Sequence, residues 1–183
     1  MKKVTNFGII HKNSLQVLSV ILLISFFMVS FVSEATAQKT NFSGTWAFNQ
    51  EKSNMGQQGQ GGGFRGAGGQ LTVKQEGSIL SVERVRTNQN GEKTTVSEKY
   101  TLDGKESSNT SQRGSSKSIV KWLPDGKSLN FATTRSFERD GQTREMKSTD
   151  VWNLTDAKTL SITSTSTGRD GAERKVTLVY DKK

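Results

Sequence analysis

Arginine, aspartate and hydroxyl side chains recur at alternate positions in the carboxyl-terminal half of the chain: Thr133, Arg135, Ser148, Asp150, Ser164, Ser166 and Arg174. Alternate residues of a β-strand point to the same side of a sheet, so paired strands would bring these side chains onto one face. Unpaired polar groups on a buried face cost about 1 to 3 kcal/mol each. This part of the face is therefore predicted to hold water or a ligand.

The hairpins that would build this face predict its register. Closing a turn at Asp140-Gly141 sets Leu129 opposite Trp152, Phe131 opposite Asp150, Thr133 opposite Ser148 and Arg135 opposite Met146. The next two hairpins pair Leu154 with Leu160, Trp152 with Ile162, Ile162 with Leu178 and Leu160 with Tyr180. One end of the face is apolar under this register, and the other end is polar.

Residue types that commonly carry catalysis are scarce. The chain has no cysteine, and its one histidine, His11, lies in the amino-terminal segment. Ser–His triads, thiol nucleophiles and the usual zinc or iron sites would lack their residues. The Asp-x-Asp-x-Asp-Gly pattern of a calcium loop is also missing. The sequence predicts a non-catalytic protein with no metal and no cofactor.

Short strands separated by turn dipeptides must position the polar face. The turns fall at Glu76-Gly77, Asn90-Gly91, Asp103-Gly104, Asp125-Gly126, Asp140-Gly141 and Asp170-Gly171, where glycine tolerates the positive φ of a tight hairpin. The segments between them predict strands at 70–75, 79–87, 93–101, 106–113, 117–123, 128–139, 142–154, 159–167 and 172–181. With an opening strand at 41–49, we expect an all-β, antiparallel meander of about ten strands.

A repeated hairpin supports this meander. Residues 123–129, Leu-Pro-Asp-Gly-Lys-Ser-Leu, recur at 154–160 as Leu-Thr-Asp-Ala-Lys-Thr-Leu. Solenoids and propellers need three or more full units. The repeat therefore indicates duplication within one sheet.

The first 37 residues have the pattern of a signal peptide. Lysines precede an apolar run at 15–32, and Ala35-Thr36-Ala37 supplies a cleavage site before Gln38. An uncleaved membrane anchor is the alternative, since the run approaches the minimum spanning length. Cleavage predicts an exported protein, periplasmic or extracellular, with one domain over 38–183 and no transmembrane segment.

The net charge of +9 favours anionic neighbours, among them envelope lipid and acidic glycan. Export argues against nucleic acid as a partner. With no disulfide framework available, stability is expected to come from sheet closure and core packing.

Residues 55–69 are rich in glycine and offer almost nothing to bury, so they predict a flexible loop. A phosphate-binding reading is weak, because such glycine loops lead into a helix and this one leads into a strand.

The opening stretch Asn-Phe-Ser-Gly-Thr-Trp-Ala-Phe-Asn, at 41–49, resembles the first strand of lipocalin-like (calycin) barrels, through Gly44 and Trp46. The resemblance implies a closed barrel whose floor Trp46 covers, with Arg174 as the candidate cation over its indole ring. It also implies that the glycine-rich loop overhangs the cavity mouth, the alternative being a plain linker.

Fatty-acid-binding relatives in this group place arginine against a ligand carboxylate. The resemblance therefore implies an anionic or amphiphilic ligand with Arg135 as first candidate for its head group, Arg84 as second, and Trp122, Phe131, Met146 and Trp152 as apolar wall. Two alternatives stay open. Arg135 and Asp150 could form a structural ion pair on a half-exposed sheet, or the protein could be an interaction module that binds envelope glycan, lipid or protein on its outer surface.

Overall fold

A computed structural model describes residues 39–56, 69–87, 91–111, 114–168 and 171–183. The described residues all belong to one compact unit, 37–183. The expected signal peptide and most of the glycine-rich loop lie outside the described residues, so both stay predictions. Within the described part, no helix is both long and apolar enough to cross a membrane.

The described residues form ten β-strands and no helix. Their bounds are β1 (Gly44–Asn54), β2 (Gln70–Glu76), β3 (Ile79–Thr87), β4 (Lys93–Thr101), β5 (Glu106–Ser111), β6 (Gly114–Trp122), β7 (Leu129–Arg139), β8 (Gln142–Asp156), β9 (Thr159–Thr167) and β10 (Glu173–Lys182).

The strands form one antiparallel sheet in the order β4-β3-β2-β1-β10-β9-β8-β7-β6-β5. The first and last strands pair, with Trp46 opposite Lys182, so the meander wraps round into a barrel. The barrel is nearly closed: β4 and β5, the two edges, meet through side chains instead of a strand ladder. The predicted all-β antiparallel meander, wrapped into a barrel of about ten strands, is confirmed.

The predicted register of the carboxyl-terminal hairpins is also confirmed at every pair named above. For β7 and β8, the turn between them explains this accuracy. Asp140 has φ 55° and Gly141 has φ 70°, the left-handed pair that a two-residue hairpin needs. A two-residue turn leaves no freedom for the strands to slip by one position.

Several strand boundaries differ from expectation by a few residues, most of all in β1, which was predicted at 41–49 and runs over Gly44–Asn54. The difference in β6 is caused by a glycine. We predicted β6 from residue 117, whereas it starts at Gly114. This residue has φ 118°, and a Cβ added to it would lie 2.1 Å from the carbonyl oxygen of Ser136. Only glycine allows β6 to approach β7 this closely, so the strand extends three residues further than side-chain patterning indicates.

Aspartates order three turns at one end of the barrel. The Oδ1 atoms of Asp103, Asp125 and Asp156 each accept the backbone N–H two residues on, at 3.1, 2.8 and 2.7 Å. These backbone hydrogen bonds lower the pKa of all three carboxyl groups. The interpretation of these aspartates as turn residues agrees with the geometry.

The core fills this same end of the barrel. Its buried hydrophobic residues are Phe42, Trp46, Leu71, Val73, Leu80, Val82, Tyr100, Leu102, Val120, Leu129, Phe131, Trp152, Leu160, Ile162, Val176, Leu178 and Tyr180. Nine of the ten strands supply these residues from alternating positions, and the flanking segments supply the rest. The exception is β5, whose buried residue is the polar Ser107.

Candidate ligand-binding interior of the barrel

The inner face changes from hydrocarbon to charge along the barrel axis. On β3, the buried Val82 is followed at the next inward position by Arg84. On β8, Trp152 is followed in the same way by Asp150, and on β10, Val176 is followed by Arg174. The change occurs at a similar level on strands from opposite walls. The predicted gradient from an apolar to a polar face therefore exists in the folded chain.

The apolar end is closed by the segment that precedes β1. Phe42 is fully buried, and its N–H donates to Oε1 of Gln75 at 3.0 Å. Its carbonyl oxygen accepts a hydrogen bond from Nε1 of Trp46 at 3.1 Å. Its ring lies 6.1 Å from Trp122 and 6.2 Å from Trp152, centroid to centroid. Phe42 is thus the floor of the barrel, and a ligand would have to sit above it.

A partly buried ion pair spans β3 and β4 above this floor. Nε of Arg84 lies 3.1 Å from Oε2 of Glu98, and the two side chains are 21% and 12% exposed. The guanidinium also lies over the indole ring of Trp152, 5.7 Å from its centroid. Arginine suits this position because its planar group can stack on an aromatic face while donating hydrogen bonds from its edge.

Asp150 faces this ion pair from the opposite wall. Burial raises the pKa of its carboxyl group, while a hydrogen bond from Ser164 Oγ and the positive charges of Arg84 and Arg135 act in the other direction. The charge of Glu98 adds to the upward shift. The interior therefore places the carboxyl groups of Glu98 and Asp150 near Arg84, which is already paired with Glu98. This arrangement disfavours a negative charge on Asp150.

Tyr100 closes the polar cluster from β4. Its ring packs edge-on against Phe131 with centroids 5.3 Å apart. Burial, together with the nearby Glu98, raises the pKa of its hydroxyl group, so Tyr100 stays protonated at neutral pH. Its hydroxyl is hydrogen-bonded to Glu98, so Tyr100 joins the ion pair in the polar cluster.

One buried donor in the interior has no partner among the described residues. Nε1 of Trp152 is buried and makes no hydrogen bond there. A buried N–H without an acceptor costs about 1 to 3 kcal/mol, and an acceptor atom of water or ligand would remove that cost. Nearby hydroxyls satisfy one another, as Ser118 and Thr133 do at 2.9 Å.

The structure divides the predicted site residues into three groups. Arg84, Phe131, Asp150 and Trp152 come together in the cluster just described, and the hydroxyls of Thr133 and Ser148 continue the same inner face. Trp122 belongs to the floor, beside Phe42, with Lys39 Nζ 5.6 Å from its ring centroid. Arg135 and Met146 face each other across β7 and β8 further from the floor, and both are exposed.

The alternative in which Arg135 and Asp150 form an ion pair is wrong. No ion pair joins them, because Asp150 lies opposite Phe131, four residues nearer the floor than Arg135, and accepts from Ser164 instead. Met146 is 40% exposed, so it belongs to the rim and not to a buried wall.

Arg174 does not cover Trp46. The cation over that indole ring is Lys182, with Nζ 5.3 Å from the centroid. The reason is the direction of β10, which places Lys182 opposite Trp46 and Arg174 opposite Ser166 at the other end of the barrel. Gly44 does contribute to closure, since a Cβ there would meet the Lys182 side chain at 2.9 Å.

Sequence reasoning missed Glu98 and Tyr100. Both lie on the inner face of β4, where Tyr100 is opposite Leu80 and Glu98 is opposite Val82. The predicted strands 79–87 and 93–101 had correct bounds, so extending the register argument to this hairpin would have found them. Among the described residues, no group of three or more His, Cys, Asp or Glu side chains is arranged to hold a metal ion.

No family model matches the chain, and no curated protein matches it. Among solved structures, the crystal structure of the wild-type fluorescent protein UnaG is similar, with 21% sequence identity and a TM-score of 0.49 over 78% of this chain and 97% of that chain. A mutant of UnaG gives 22% identity and a TM-score of 0.48 over 77% of this chain and 95% of that chain.

Proposed function

We propose that this protein binds a small anionic amphiphile inside the barrel, without catalysis, and that it does so after export. The observation that carries the proposal is the inner face itself, which passes from packed hydrocarbon above Phe42 to charge at Arg84, Glu98 and Asp150. A ligand with an apolar part and an anionic part matches both halves of such a face.

The apolar part would lie against Phe131 and Trp152, whose rings are 4.9 Å apart. The unpartnered Nε1 of Trp152 offers one hydrogen bond to an acceptor on the ligand. Barrels of this strand number have room for one small molecule at most.

The anionic part would lie toward the rim. Arg84 is already paired with Glu98, whereas Arg135 makes no ion pair with a described residue and is exposed on the same inner face. Arg135 is therefore the better partner for a ligand carboxylate, phosphate or sulfate. A charge-assisted contact is worth roughly 1.5 to 3 kcal/mol when it is well formed.

Export and the absence of catalysis are supported by the sequence. The pattern of residues 1–37 is that of a cleaved signal peptide, and the mature chain would contain neither histidine nor cysteine.

The proposal is tested by comparing a long-chain carboxylate with the alcohol of equal length, by native mass spectrometry and by displacement of a fluorescent fatty-acid analogue. We expect the carboxylate to bind, and Arg135→Gln to weaken carboxylate binding about tenfold with little effect on binding of the alcohol. The tenfold figure takes the lower end of the range for charge-assisted hydrogen bonds, because Arg135 is exposed. Lys147→Gln is the matched control, since Lys147 lies on the same hairpin but on its outer face. Failure of both compounds to bind, or equal loss in the two variants, would contradict the proposal.

A further inference from the structure

The hairpin of β7 and β8 extends beyond the rest of the sheet. The two strands pair with each other out to Arg139 and Gln142, but β7 pairs with β6 only as far as Ser136, and β8 pairs with β9 only as far as Ser148. Residues 137–147 are therefore a two-stranded ribbon without other strand partners in the described structure, here called the rim ribbon. At about 3.3 Å per residue, it stands roughly 13 to 20 Å past the barrel wall.

The two faces of the rim ribbon differ in chemistry. The face that continues the barrel interior carries Phe137, Arg139, Arg144 and Met146, with Phe137 paired opposite Arg144. The opposite face carries Glu138 and Glu145, together with Lys147. Every acidic side chain within its two strands is thus on the outer face, and the inner face combines cations with the half-buried Phe137 and the exposed Met146.

The apolar residues of this face do not serve the core. Met146 is 40% exposed, and Phe137 lies outside the hydrophobic cluster and outside the residues packed against it. Arg144 has no ion pair with any described residue, and Arg139 makes only an exposed 3.6 Å contact with its neighbour Asp140. Among the described residues, no ion pair accounts for Arg144 and no contact with the core accounts for Met146.

We infer that the rim ribbon docks the protein on the surface of a phospholipid bilayer that contains anionic headgroups. Arginines with interleaved Phe and Met, and with no acidic side chain between them, are complementary to such a surface: the guanidinium groups meet phosphates while the apolar side chains enter the interface. The inference does not rest on the proposed ligand, because docking requires no occupant in the barrel.

The second exposed large hydrophobic residue supplies an internal control. Ile119 is also 40% exposed, but it lies on the outer wall of β6, between Lys117 and Lys121. If the protein bound a bilayer only through its overall positive charge, the bilayer would contact Ile119 as readily as the rim ribbon. If the protein docks through the rim ribbon, Ile119 stays away from the bilayer.

The experiment uses ligand-free protein and vesicles of phosphatidylcholine with phosphatidylglycerol, some made with bromine-labelled acyl chains. We expect Met146→Trp to bind the vesicles and its added fluorescence to be quenched by bromine, while Ile119→Trp binds equally but gains no quenching. The native Trp46 and Trp152 are buried, and Trp122 is partly buried at the closed end, so the unsubstituted protein gives the baseline. Binding should weaken with added salt and be lost on vesicles of phosphatidylcholine alone.

Charge removal tests the same surface. We expect Arg139→Gln combined with Arg144→Gln to weaken vesicle binding by roughly thirtyfold, at about 1 kcal/mol for each arginine near an anionic membrane. Lys147→Gln, on the outer face, should change it less than twofold. Circular dichroism and urea unfolding would establish that the variants keep the fold.

Equal quenching of Ile119→Trp and Met146→Trp, equal binding to neutral vesicles, or no vesicle binding would each overturn the inference. If Met146→Trp is quenched by a soluble brominated carboxylate but not by brominated vesicles, the face belongs to the ligand site, and docking is refuted while ligand binding is supported.

Discussion

Asp150 shows how burial in the barrel interior changes the pKa of a carboxyl group. Its neighbours are two arginines, one carboxylate and one hydroxyl, yet burial dominates and the pKa of Asp150 is raised. The pKa of the turn residue Asp125 is shifted in the opposite direction. Backbone N–H groups of Lys127 and Ser128 and the Ser128 hydroxyl donate to its carboxylate, and they lower its pKa.

The two aspartates therefore contribute to pH-dependent stability with opposite signs. A carboxyl group with a raised pKa holds its proton more tightly when folded, so it contributes stability at low pH that is lost as pH rises through the folded pKa. A carboxyl group with a lowered pKa contributes stability above its unfolded pKa, and that contribution is lost as pH falls through the folded value.

We predict that Asp150→Asn is at least as stable as the parent protein at neutral pH, and that its advantage grows as pH rises above about 4, the usual Asp value. Asp125→Asn should be less stable than the parent at neutral pH, with the difference shrinking in acid. Urea unfolding followed by tryptophan fluorescence from pH 3 to 8 measures both. An Asp150→Asn variant that loses stability at neutral pH would show that its carboxylate is stabilised by Arg84 and Arg135 after all.

At the scale of elements, the seam between β4 and β5 is the weakest join in the sheet. No strand ladder crosses it, but Asn109 takes the place of one. Its Oδ1 accepts from the N–H of Lys99 at 2.8 Å, and its Nδ2 donates to the carbonyl of Lys99 at 3.1 Å. Two residues further along, the hydroxyl of Ser107 accepts the N–H of Thr101 at 2.9 Å.

We predict that Asn109→Ala lowers the free energy of unfolding by about 1 to 2 kcal/mol, since two net hydrogen bonds of about 0.5 to 1.5 kcal/mol are lost at an exposed site. The amide of Lys99 should lose hydrogen-exchange protection, because no other acceptor is placed for it. Ser108→Ala, an exposed neighbour that takes no part in the seam, is the control. Unchanged protection of the Lys99 amide would mean that β4 and β5 are held together by other contacts.

The same seam marks where prediction from sequence stops. Hairpins whose turns contain two residues, such as Asp140-Gly141, give their register directly, and the four pairs predicted between β7 and β8 followed from that. The pairs predicted in the next two hairpins followed from matching the side chains that share a face. The seam could not be predicted, because the side chain of Asn109, on β5, hydrogen-bonds to the backbone of β4, a strand with which β5 forms no ladder. Such side-chain contacts leave no periodic pattern in the sequence. Lys182 over Trp46 escaped for a related reason: the contact depends on how the first and last strands pair, which no turn specifies.

At the scale of the whole molecule, the barrel has one closed end and one open end of different chemistry. The closed end is hydrocarbon, sealed by the segment before β1. The other end carries arginine on its inner face, at Arg84, Arg135 and Arg174, while Lys117, Lys147 and Lys175 lie on outward-facing positions of their strands. This separation puts planar, bidentate cations inside, where an anion would be recognised, and strongly hydrated ammonium groups outside.

Closure of the apolar end depends on Phe42 more than on any strand ladder, because it joins walls that do not pair. Its backbone binds Gln75 of β2, while its ring packs on Trp122 of β6 and Trp152 of β8. Phe48 is a suitable comparison, since it is only partly buried and packs on Tyr180 of the adjacent strand.

We predict that Phe42→Ala lowers the free energy of unfolding by about 3 to 5 kcal/mol, the usual cost of removing a fully buried phenylalanine. Phe48→Ala should cost clearly less, because its ring is already partly hydrated and its loss disconnects no opposite walls. Urea denaturation followed by far-ultraviolet circular dichroism gives both values, and the slope with denaturant shows whether unfolding stays two-state. Similar losses in the two variants would mean that strand pairing alone holds the barrel shut. In that case the segment before β1 would be a passive cover, and the closed end would be free to admit a ligand.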